Sequence, residues 1–100
     1  MFKRNQPLIP SLYAIQYAIS HNLPVAFGCI IYDNFKDLVG NFVVPYPAGN
    51  ALGGHAQMLV GFDIKLFGVE WGDKGCHYRQ YSHILNPEWC FDFWVITKYK

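Results

Sequence analysis

The stretch Gly53-Gly54-His55-Ala56-Gln57-Met58-Leu59-Val60-Gly61-Phe62-Asp63 constrains the fold most. Two glycines free the backbone just ahead of His55, and the apolar run that follows reads as a strand from His55 to Phe62. Side chains alternate along a strand, so His55, Gln57, Leu59 and Gly61 share one face and Ala56, Met58, Val60 and Phe62 the other. A single titratable side chain is therefore expected at the mouth of a strand.

The residues around this stretch supply its sheet. Ser11 is a good N-cap, and Leu12, Ile15 and Ile19 recur at helical spacing, which predicts a short amphipathic helix. His21-Asn22-Leu23-Pro24 ends it, because Pro24 disfavours helical dihedrals in Leu23. Val25 to Tyr32 is dense in β-formers and reads as a strand buried on both faces, closed by Asp33-Asn34. Asp37 to Leu52 carries Gly40, Pro45, Pro47, Gly49 and Asn50 and reads as loop, with Phe42-Val43-Val44 as a short extended piece. Beyond Asp63, Ile64 to Phe67 is a short apolar piece and Gly68, Gly72, Asp73 and Gly75 mark a tight loop. Cys76 to Tyr81 and Phe91 to Thr97 read as two more strands around an Asn86-Pro87 turn. One short helix and several strands, with no second crossover helix, predict an α+β fold with an antiparallel sheet.

Composition narrows the function classes. At 100 residues the chain is at most one domain, and an apolar share of 52% with 18% aromatics excludes a disordered polar chain. That much apolar surface suggests a partner chain over one face. The net charge of +1 gives no field to draw nucleic acid or an anionic membrane, and no apolar run reaches the length of a membrane span. The N-terminal residues lack the continuous apolar core of a signal peptide. Cys29, Cys76 and Cys90 are odd in number and form no C-x-x-C pair, so neither a disulfide framework nor a zinc site is expected and a reducing compartment is preferred.

Several spaced motifs together carry more weight than any one of them. The helix, Pro24-Val25-Ala26-Phe27-Gly28, Tyr32, Phe35, a glycine-proline loop, Gly54-His55-Ala56, Val60-Gly61-Phe62-Asp63, Gly68 to Gly75 and Asp92-Phe93-Trp94 follow one another in a recognisable order. In that order they resemble the C-terminal, histidine-bearing half of papain-like cysteine peptidases, of the compact bacterial and large-virus type. The resemblance implies the right-hand half of the papain-like fold, with a partly barrel-like antiparallel sheet and residues 1–100 as one partial domain.

In that family a cysteine at a helix N-terminus attacks the peptide carbonyl, a histidine acts as base and acid, an asparagine orients the imidazole, and a glutamine helps hold the oxyanion. Carried over by residue, His55 matches the histidine. Gln6 and Gln16 have no cysteine following them, and Cys29 falls in a strand. Alignment on Gly68 and Trp71-Gly72 puts Lys65, Leu66 and Phe67 where the family has Asn-Ser-Trp, so an internal deletion is expected there, and Lys65 has no acceptor to offer an imidazole N–H. Cys76 and Gln57 are smaller departures, with Gln57 expected in solvent or on a loop carbonyl.

The resemblance implies a hydrolase that needs no cofactor and takes a peptide or protein substrate once a cysteine-bearing half completes it. The alternative is a non-catalytic remnant that binds a peptide or protein on the open cleft wall. Among His21, His55, His77, His83, Cys76 and Cys90 no zinc spacing occurs. His83 is expected to be an exposed polar residue at a strand end, Cys29 a small buried hydrophobe, and Trp94 a core residue. Asp92 is expected to be either exposed at an edge or paired.

Overall fold

The computed structural model describes residues 6–35, 42–70 and 76–97, apart from the side chains of residues 70 and 76. In chain order it contains β1 (Gln6–Pro7), α1 (Leu12–Ser20), β2 (Val25–Tyr32), β3 (Ala51–Phe62), β4 (Leu66–Glu70), β5 (Cys76–Gln80), α2 (Tyr81–Ile84) and β6 (Cys90–Val95). The strands form one sheet in the order β1-β6-β2-β3-β4-β5, with every neighbouring pair antiparallel. The sheet is open, with edges at β1 and β5. Val43 makes an isolated parallel bridge to Tyr78 on the β5 edge.

The helix forms where its spacing predicts. Ser11 is in extended conformation and its hydroxyl accepts from Ala14 N–H at 3.1 Å, satisfying one of the free donors of the first turn. Asn22, at φ +61, takes the chain out of α1. Ile15 and Ala18 are the buried face, packed on Val25, Phe27, Leu59, Phe67, Val69, Ile84, Phe93 and Val95. That core lies on one side of the sheet only.

Strand β2 has the predicted limits but alternates: Val25, Phe27 and Cys29 are buried, whereas Ala26, Gly28 and Ile30 on the other face are half-buried. The expectation of burial on both faces is corrected, because no second layer covers that face among the described residues. In β3 the two faces divide as the alternation predicts, with Gln57 and Leu59 buried on one and Val60 and Phe62 exposed on the other.

Three boundaries differ from the sequence reading. Strand β3 begins at Ala51, so His55 stands within it rather than at its start. Tyr81 opens the one-turn α2, and β6 starts at Cys90. Asp92, at φ +60, breaks the alternation of β6, so Phe91 and Trp94 both point away from the core while Cys90, Phe93 and Val95 point into it. Trp94 is thus exposed, and its indole N–H donates to the Asp92 carboxylate at 3.2 Å. The turn expected over Gly72, Asp73 and Gly75 falls outside the described residues, and Gly68 belongs to β4.

Candidate active site

His55 is exposed on β3 and opens onto a groove of about 260 Å³ lined by Ile31, Phe35, Leu52, Gly53, Gly54 and His55. The groove follows from a local irregularity. Pairing of β2 with β3 runs in register from Val25↔Leu59 to Ile31↔Gly53 and then skips Leu52, because Tyr32 pairs with Ala51. Gly53 sits at φ +146, a conformation that glycine adopts without strain. The bulge brings Leu52 beside the histidine, and two residues without side chains leave the space open. Sequence reasoning located Gly53 and Gly54 but missed Ile31, Phe35 and Leu52, which come together only through the register.

Cys29 and His55 are register partners across β2 and β3, and directly opposite residues share a face. They do not form a nucleophile and base pair. The Cys29 thiol is fully buried and donates to Gln57 Oε1 at 3.3 Å. Burial raises its pKa, and the nearby Arg79 guanidinium only partly offsets this. Cys90, the partner of Cys29 on β6, is pushed up to about 12 by the same desolvation. Thiols of this kind stay protonated and unreactive at neutral pH. Cys29 is the buried residue that the sequence predicts, and Cys76 lies at a position whose side chain is not among those described.

Gln57, expected in solvent or on a loop carbonyl, is instead buried, because Arg79 reaches it. Arg79 is 1% exposed on β5, and its Nη2 donates to Gln57 Oε1 at 2.7 Å. Its Nε donates to His77 Nε2 at 3.4 Å, and its Nη1 approaches Cys90 Sγ at 4.0 Å. The rings of Phe27 and Phe35 lie 5.8 and 5.5 Å from the guanidinium carbon. Burial, helped by the charge of Arg79, lowers His77 to about 4 and His83 to about 3, so both are neutral at neutral pH. His83 is buried beside Tyr46 and Trp89, which corrects its expected exposure: α2 turns it inward.

No side chain among the described residues hydrogen-bonds the His55 ring. The acceptor of Gln57, on the same face two residues on, is already taken by Arg79 and Cys29. Lys65 lies in the turn between β3 and β4, where its backbone N–H donates to Asp63 Oδ1 at 2.9 Å, far along the strand from His55. Strand β4 ends opposite Met58, about 10 Å short of His55 at ordinary strand rise. Among the described residues no group of three or more His, Cys, Asp or Glu could hold a metal ion, and no helix is long and apolar enough to cross a membrane.

Comparison with solved structures returns xylellain, a cysteine protease from Xylella fastidiosa, at a TM-score of 0.79 and 27% identity, over 96% of this chain and 40% of that one. The chain carries part of a papain-like fold. The α+β architecture, the helix followed by an antiparallel sheet, and the order of the motifs all agree with a papain-like peptidase. The chain spans less than half the length of xylellain. No protein-family model matches the sequence, and no curated protein matches it.

Proposed function

We propose that this chain supplies the histidine side of a papain-like cysteine peptidase site, with His55 as general base and acid and the nucleophilic thiol coming from another polypeptide segment. The observation that carries this reading is the position of His55: exposed on β3, over an open groove, in a sheet that superposes on a cysteine protease. In the complete reaction the imidazole takes the thiol proton, the thiolate attacks the peptide carbonyl, and the imidazolium returns the proton to the departing amine. Water then cleaves the acyl-enzyme. Cys29 and Cys90 do not fill the nucleophile's place, since both are buried and protonated.

The purified chain is accordingly expected to leave a broad fluorogenic peptide substrate intact. Turnover by the chain alone, abolished when a thiol-directed inactivator labels one cysteine, would sink this reading.

A second reading, a peptide-binding domain without catalysis, is favoured by one observation: among the described residues nothing fixes the His55 imidazole. Peptide binding that survives His55→Ala, with no hydrolysis under any pairing, supports it.

A further inference from the structure

Arg79 is a buried cation whose hydrogen-bond partners among the described residues are all neutral. Charged side chains are almost never fully buried unless paired, and an unpaired one costs several kcal/mol even after relaxation. The three contacts of Arg79 go to an amide oxygen, a neutral imidazole and a thiol. They use three of the five N–H donors that a guanidinium carries. The aromatic faces of Phe27 and Phe35 offset part of the charge. No carboxylate pairs with Arg79 among the described residues.

A small cavity adjoins this guanidinium. Arg79 and His83 line it together with Tyr32, Phe35, Val44 and Pro47, and it leaves about 10 Å³ in which the centre of a water-sized sphere can move. One such occupant fits. His83 is 2% exposed, and its Nδ1 is buried without a hydrogen-bond partner. The lining residues therefore bring together a positive charge and a histidine with an unpartnered ring nitrogen, and apart from Tyr32 and Asn34 the remainder is apolar. Phosphate and sulfate are too large for the space. A monatomic anion is the smallest ion that satisfies the charge, and it tolerates apolar walls better than an oxyanion does.

We propose that the cavity between Arg79 and His83 binds one halide ion, chloride being the probe. The ion would accept from the guanidinium and from an imidazole N–H of His83, and would complete the neutralisation that Gln57, His77 and Cys90 leave unfinished. Phe35 lines both this cavity and the His55 groove, but Arg79 and His83 do not line the groove, so halide binding and peptidase activity are read by separate measurements.

The test uses the full chain. Thermal unfolding is followed in sodium chloride, sodium bromide and sodium gluconate at constant ionic strength, since gluconate is too large for the cavity. A saturable rise of several degrees in chloride and bromide, absent in gluconate, is expected for a ligand bound only to the folded chain. His83→Phe, which fills the cavity and removes the donor, should abolish the halide dependence. Because that variant could fail to fold, the chloride-35 NMR line width is measured with the wild-type chain as well: broadening reversed by bromide is expected. Equal midpoints in chloride and gluconate with no broadening mean that the occupant is water, and overturn the proposal. A chloride effect that persists unchanged in a folded His83→Phe places the ion elsewhere and overturns it too.

Discussion

Cys29 and His55 face each other across β2 and β3, yet the thiol of one donates to Gln57 rather than to the imidazole of the other. Register alone would make them a nucleophile and a base. Burial decides against it, because the thiolate would have to form on the core side of the sheet, where desolvation raises the pKa of both Cys29 and Cys90. In the folded chain at neutral pH, Cys29 and Cys90 should resist iodoacetamide, whereas both should be alkylated in denaturant. Peptide mapping by mass spectrometry reads this directly, and rapid native labelling of Cys29 would overturn the assignment.

The hydrogen bond from Arg79 to Gln57 ties β5 to the histidine strand. Gln57→Leu leaves a buried guanidinium donor and the Cys29 thiol unpaired, so a loss of about 2 kcal/mol is expected. Adding Arg79→Met should recover part of it, since removing both polar partners costs less than orphaning one. A double-mutant cycle by urea denaturation should give a coupling of about 1 kcal/mol or more, and additive effects would show that the contact contributes nothing.

Two neutral buried histidines set the response to acid. The pKa values of His77 and His83 lie near 4 and 3 in the folded chain, below the ordinary value of 6.5. The unfolded chain therefore binds more protons below about pH 6.5. Their contribution is fully present above that pH and is lost as the pH falls toward the folded values, with a slope approaching about 2.7 kcal/mol per pH unit for the two together. Urea denaturation at a series of pH values checks this. His83→Phe, if folded, should flatten the slope by up to half, whereas a stability independent of pH between 6.5 and 4.5 would contradict the assignment.

The helix depends on its cap. Ser11→Ala removes the acceptor for Ala14 N–H and should cost about 1 kcal/mol, while Ser11→Asp should keep most of the stability. Thermal unfolding of the three chains decides it.

What could be read from the sequence was local. Ser11, Pro24 and the run Val25 to Tyr32 placed the helix and first long strand because caps, proline and β-branched runs act over a few residues. The alternation around His55 separated the two faces of β3, but the burial of Gln57 on one of them depends on Arg79 from a distant strand. The groove and the Arg79 cluster were hidden for one reason: both are made by register between strands distant in the chain. Nothing near Arg79 in sequence shows that Gln57, Cys90 and two phenylalanines will surround it. Asp92 is paired, with the Trp94 indole, as one of its two expected states had it, but the irregularities at Asp92 and Leu52 escaped because a bulge shifts alternation without a strong composition signal.

The role of His55 is tested most directly by a chimera in which this chain replaces the matching 40% of xylellain. Hydrolysis of a fluorogenic peptide is compared for the chimera and its His55→Ala form, each shown to be folded by circular dichroism. Measurable turnover that falls by at least about 100-fold on His55→Ala is expected of a general base. Turnover that is the same with and without the imidazole, or none in a folded chimera, contradicts the account.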